Sequence, residues 1–140
     1  MARCGHQLRA EHGAFRPAVE RATTVAPVPF VIDHDFARRL GAFPDWGRRF
    51  VIEADRDGLN VELDLCSSDL ALSAHARALW WAVREGRFAG CSFHLPDDAR
   101  WGWDGRMMTL EFVPSLLELS FLIDCVPVYP NRELMSAWAD

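Results

Sequence analysis

Lysine is missing altogether from the 140 residues, and all 15 cationic side chains are arginines. We read that bias as GC-rich coding; it removes every mechanism built on a lysine, such as a Schiff base or the phosphate-gripping lysine of a P-loop. Positive charge is also outnumbered. Twenty acidic residues leave a net charge of -5, which argues against a general nucleic-acid or anionic-membrane surface. The four cysteines, Cys4, Cys66, Cys91 and Cys125, include no C-x-x-C pair, and their spacing does not suggest a small disulfide framework. Buried, reduced thiols in a reducing cytoplasm are expected. No apolar run approaches the length needed to cross a bilayer, and "MARCGHQLRAEHGAF" lacks the apolar core of a secretory leader. The expectation is an intracellular, soluble protein without repeats or low-complexity tracts.

What is present is enough for one core. Half the residues are hydrophobic, and the length suits a single domain spanning 1–140. Residues 1 to about 24 are polar and arginine-rich, with one short helix expected around "AFRPAVERA". "APVPFVIDHD" reads as a strand that Pro27 and Pro29 restrict to an edge or to a strand's beginning. "GAFPDWG" reads as a loop. In "RRFVIEADRDGLNVELDL", Phe50 and Ile52, then Leu59, Val61, Leu63 and Leu65, alternate with other side chains around Asp57-Gly58. That period of two predicts an antiparallel hairpin.

"SSDLALSAHARALWWAVREGRF" predicts the long helix. Ser67 or Ser68 would cap it, Leu72, Ala76, Leu79, Trp80 and Val83 would form its apolar face, and Gly86 would stop it. "FAGCSFHL", "RMMTLEFV" and "LLELSFLIDC" read as strands, with "PDDARWGWDG" as a polar turn. The expected architecture is α+β: five or six antiparallel strands in a small curled or closed sheet, with one long helix and one or two short ones.

Three residues from distant segments could serve serine chemistry, which needs a nucleophile, a base and a group that orients the base. In an extended "GCSFH", Ser92 and His94 share one face while Cys91 and Phe93 take the other, turning Ser92 toward an open side. A strand serine bonded to a neighbour explains Ser92 equally simply. His34, at a strand end between Asp33 and Asp35, is placed to stay near neutrality as a base, or is an ordinary loop histidine. His94 is a rival base, but at i+2 its side chain runs parallel to that of Ser92. His75 on the helix, and His6 and His12 in the N-terminal segment, are weaker candidates. Glu118 interrupts an apolar strand on the face shared with Ser120 and Leu122, where it needs a partner or solvent.

Five segments in order resemble one family. "GAFRPAV", "VPFVIDHD", "DRDGLNVELDL", "ARALWWAVREGRFAGCSF" and "LLELSFLIDCVPVYPN", spanning about Gly13 to Asn131, are similar to the prohead (head maturation) proteases of tailed phages, serine peptidases related in fold to herpesvirus assemblin. The resemblance implies an assemblin-like barrel, with His34 as general base, Ser92 as nucleophile and Glu118 as the orienting acid. It implies no cofactor and no metal. The implied substrate is scaffolding protein, or the scaffold-like extension of the major capsid protein, cleaved inside the immature capsid in the bacterial host cytoplasm.

The chain departs from the family pattern at three places. His94 stands where a glycine usually follows the serine by two. The family's first strand is expected to be missing, with residues 1–12 poorly structured, as a truncated gene, a late start codon or a degraded prophage copy would produce. Cys91 adds a thiol beside the serine, expected in the core. The first two favour an alternative: an inactive or truncated relative that binds capsid or scaffold as an assembly factor. A small barrel unrelated to proteolysis is a third reading. Trp101 and Trp103 could lid a substrate or pack on the sheet, and Trp81 could mark a homodimer contact.

Overall fold

A computed structural model describes residues 7–11, 13–54, 59–65, 73–103, 105 and 107–125. Among them are nine strands and two helices, in the order β1 (Gln7–Ala10), α1 (Arg16–Thr24), β2 (Val28–Ile32), β3 (Asp35–Phe43), β4 (Phe50–Ala54), β5 (Leu59–Leu63), α2 (Ala74–Arg84), β6 (Gly90–His94), β7 (Arg100–Trp103), β8 (Met107–Phe112) and β9 (Glu118–Leu122). The α+β class holds. The strands form three sheets, ordered β1-β8-β7, β3-β2-β9-β6 and β4-β5. None closes into a barrel, because closure needs an unbroken ladder from first strand to last and the ladders here end at β3 and β6, at β1 and β7, and within the β4–β5 hairpin.

Two further expectations are corrected. The strands are not all antiparallel: β1 runs parallel to β8, and β2 parallel to β9. These partners are far apart in sequence, so no tight turn dictates their direction. A strand does precede Gly13. Gln7–Ala10 pairs with Met107–Leu110, which no pattern in "QLRA" announces because the pairing is non-local.

β3 and β7 also went unread in the sequence. Much of β3 is solvent-exposed and lacks alternating apolar residues. β7 carries Trp101 and Trp103 on a strand rather than in a turn, both substantially exposed. β2 is an inner strand rather than an edge, and of the two placements expected for its prolines the strand's beginning is the one found, with Pro27 just before β2 and Pro29 its second residue. Pro29 is tolerated because the ladder to β9 begins only at Phe30.

The helices follow their local signals. In α1, Pro17 occupies the first turn, where its missing N–H breaks no helical bond, and Ala18 and Ala22 make a buried i, i+4 stripe. In α2 the Ser73 hydroxyl accepts from Ala76 N–H at 3.3 Å, so the described helix starts at Ala74. Ser67, Ser68 and Leu72 lie outside the described residues. Ala76, Leu79 and Ala82 are buried, with Trp80 and Val83 packed partly against the core. The helix ends before Gly86, whose φ of 74° is the left-handed conformation that glycine adopts freely.

The β4–β5 hairpin has the register its alternation predicts, Phe50 opposite Leu63 and Ile52 opposite Val61. Its Asp57-Gly58 turn lies outside the described residues.

The core sits on one face of the four-stranded sheet. Phe30 and Ile32 of β2 pair with Leu119 and Phe121 of β9, and all four are completely or almost completely buried. Phe30 meets Phe50 edge-on at 5.0 Å and Phe121 at 5.7 Å between ring centroids. This packing fixes β9 beside β2, and the opposite face of the same strands carries the polar residues of interest.

Candidate active site

His34 is held by a turn rather than by a strand end. Ile32 pairs with Asp35 across β2 and β3, leaving Asp33 and His34 as the two central residues with φ of 51° and 59°. Positive φ at both positions is the type I′ hairpin geometry, which Asp and His tolerate better than most residues. Asp33 and Asp35, which flank His34 in the sequence, each have a bonding role in the turn. Asp35 Oδ1 accepts from Ala37 N–H at 2.9 Å.

Asp33 reaches across to the chain after β9. Its Oδ1 accepts from Ile123 N–H at 2.9 Å and from Cys125 N–H at 3.2 Å, Asp124 N–H lies 3.2 Å from both oxygens, and Arg38 donates to Oδ2 at 3.3 Å. Burial, the largest single influence, opposes ionisation of Asp33. The three amides and the Arg38 charge together outweigh it and hold the carboxyl below its ordinary value.

The turn delivers the His34 ring to β9. Nδ1 lies 2.7 Å from Glu118 Oε1. The Glu118 side chain is 1% exposed and the His34 side chain 44%, so a buried carboxylate grips one edge of an imidazole whose remainder stays accessible. The second carboxylate oxygen, Oε2, accepts from the Ser120 hydroxyl at 2.5 Å. Ser120 Oγ in turn accepts from His34 N–H at 2.9 Å and lies 3.2 Å from Nδ1. β9 is buried at all five positions. A solvent-wetted face therefore does not account for Glu118; its partners do.

Ser92 lies one strand over. β6 pairs antiparallel with β9, placing Ser92 directly opposite Ser120 and His94 opposite Glu118. Opposed residues share a face, so Ser92, Ser120 and Glu118 line the surface onto which His34 folds. Ser92 is 8% exposed, more covered than an open-side serine would be. Among the described residues no hydrogen bond joins its hydroxyl to His34. Gly90, two residues earlier, has a φ of 134° that favours glycine. His94 is exposed, with no side-chain bond to Ser92 or Glu118 among the described residues; its carbonyl accepts from Leu117 N–H at 3.1 Å. His75 lies on α2 with no side-chain bond to Ser92, His34 or Glu118 among the described residues, and His6 and His12 lie outside the described residues. Cys91 faces the core, and burial pushes its thiol up to about 12.

A buried carboxylate bonded to Nδ1 of a half-open histidine, beside a strand serine on the same face, is the side-chain set of serine hydrolases. Residues 6–135 match the family model of the caudovirus prohead serine protease. The chain belongs to that family. As a prohead serine protease it is allied with serine peptidases of capsid maturation. No curated protein and no solved structure matches the chain.

Ser120 and Asp33 are bonded residues to which the sequence analysis assigned no role. Both left a signal. A second polar residue two positions after Glu118 on an apolar strand must find a buried partner, and an Asp-His pair between two strands fits a two-residue turn.

Proposed function

We propose that this prohead protease is a serine endopeptidase that cleaves scaffolding protein, or the scaffold-like extension of the major capsid protein, inside the immature capsid in the host cytoplasm. His34 is the general base, Ser92 the nucleophile and Glu118 the residue that orients the base. The single observation carrying this assignment is the 2.7 Å contact between His34 Nδ1 and buried Glu118 Oε1, on the sheet face that also bears Ser92.

With Nδ1 committed to Glu118, the opposite ring nitrogen, Nε2, is left to take a proton. On substrate binding, His34 Nε2 accepts the Ser92 hydroxyl proton as Oγ adds to the scissile carbonyl. The imidazolium, stabilised by Glu118, then gives that proton to the leaving amine, and an acyl-enzyme remains. Water, deprotonated by the same nitrogen, attacks the acyl carbon and frees the serine. The absence of a Ser92–His34 bond in the free enzyme is compatible with this sequence, since such bonds often tighten only when substrate is seated. His94, exposed on β6, does not come between His34 and Glu118.

Co-expression with the cognate capsid protein, followed by intact-mass analysis, tests the proposal. Ser92→Ala and His34→Ala abolish processing while circular dichroism stays native. Glu118→Gln lowers the rate by roughly 10³- to 10⁴-fold, as a misassigned tautomer does in serine proteases. Processing by folded Ser92→Ala at the unmodified rate would overturn the assignment.

A further inference from the structure

The Ser120 hydroxyl occupies the centre of the polar cluster, and its bonding capacity is nearly all committed. A serine hydroxyl has one proton and two lone pairs. The proton goes to Glu118 Oε2, and one lone pair takes the His34 backbone N–H. The remaining lone pair faces His34 Nδ1 at 3.2 Å, alongside Glu118 Oε1 at 2.7 Å. Nδ1 thus meets only acceptors, a carboxylate oxygen and a hydroxyl whose proton is already given away. The ring satisfies both only by carrying its proton on Nδ1, which leaves the Nε2 lone pair to act as base. Ser120 also ties His34 twice, at its main chain and near its ring.

We propose that Ser120 is a positioning residue of the serine-protease site: its hydroxyl holds Glu118 by one oxygen and the His34 turn by its amide, and so selects the Nδ1–H tautomer that makes Nε2 the base toward Ser92. This rests on the functional reading above. Ser120 is not itself the nucleophile. It is fully buried, its proton is held by Glu118, and the ring nitrogen beside it is Nδ1, already engaged. Ser92 retains some exposure and sits opposite it on the neighbouring strand.

Two readouts test the proposal. The first is the rate at which a fluorophosphonate probe modifies Ser92, read by peptide mass mapping, together with kcat and KM on a capsid-derived peptide. The second is NMR of isotope-labelled histidine in the Ser92→Ala background, which reports the His34 tautomer whether or not the enzyme turns over. Ser120→Ala is expected to slow labelling and kcat by about 10- to 100-fold with KM little changed, the scale of loss when a reacting group is misplaced by about 1 Å. Its His34 signal should change from a single Nδ1–H form to a mixture. Ser120→Thr, which keeps the hydroxyl, should restore the wild-type tautomer and most of the rate.

A folded Ser120→Ala protein with an unchanged His34 tautomer and an unchanged labelling rate overturns the proposal. So does a folded Ser120→Thr protein that loses tautomer and rate to the same degree as alanine. If Ser120→Ala does not fold, threonine decides: a wild-type tautomer supports the role, and a mixed one refutes it. Wild-type protein that never labels at Ser92 refutes the protease assignment instead, and the tautomer comparison then still decides for or against Ser120.

Discussion

Replacing Asp33 should loosen the turn that carries His34, and the expected loss can be built from its bonds. The Asp33 carboxylate accepts from three consecutive amides after β9 and from Arg38, and its side chain is 7% exposed. Hydrogen bonds to a charged group are worth about 1.5–3 kcal/mol each when fully developed. Only the Ile123 contact is short, at 2.9 Å, and the amides of exposed Asp124 and Cys125 can turn to water. The bonds together are therefore worth about 2 kcal/mol rather than their sum. Asp33→Ala also puts a Cβ-bearing residue without a helpful side chain at φ 51°, adding roughly 1 kcal/mol. Alanine should thus destabilise by about 3 kcal/mol, seen in urea as a lower midpoint with unchanged slope, and lower Tm by roughly 10 °C.

Asp33→Asn keeps the left-handed tolerance and one acceptor oxygen, so it should lose about half as much. The pH dependence has a definite sign. The folded carboxyl titrates below its ordinary 3.8, so the advantage of wild type over Asp33→Asn is present above that value. It disappears as pH falls through the lower folded value. An alanine variant within about 0.5 kcal/mol of wild type, or a wild-type advantage over asparagine that persists in full at pH 2, would refute this account of the turn.

Two further outcomes are expected. The Cys91 thiol, buried and titrating near 12, should resist alkylation at pH 8 in the native protein and react only on unfolding, whereas exposed Cys125 reacts first; mass mapping of the modified peptides separates the two. Gly41→Ala would drive a Cβ into the Phe50 ring, which packs on Phe30, so thermal melts should report about 1–3 kcal/mol of destabilisation from overpacking.

The candidate site was legible residue by residue but not as a geometry. His34, Ser92 and Glu118 could be named because serine chemistry calls for those side chains, and because the segments around them resembled a family. The orientation assigned to Cys91 also follows from strand alternation, and the structure has it facing the core. The helices α1 and α2 and the β4–β5 hairpin were readable for a different reason: their caps, apolar stripes and turn residues act within one stretch of chain.

Non-local partners decided the rest. β1 exists because β8 lies beside it, and β3 is a strand because the Asp33-His34 turn folds it back on β2. Neither carries its own apolar period. The parallel pairing of β2 with β9, joining segments that no hairpin links, brings His34 over Glu118. Composition, local periodicity and motif spacing determine which elements form and which side chains could react. The bonds of Ser120 and Asp33, the open sheets in place of a barrel, and the meeting of His34 with Glu118 arise only when β9 pairs with β2 and the hydrophobic face the two strands share is buried in the core. Burial then leaves the polar residues of β9 no partners except those the fold supplies.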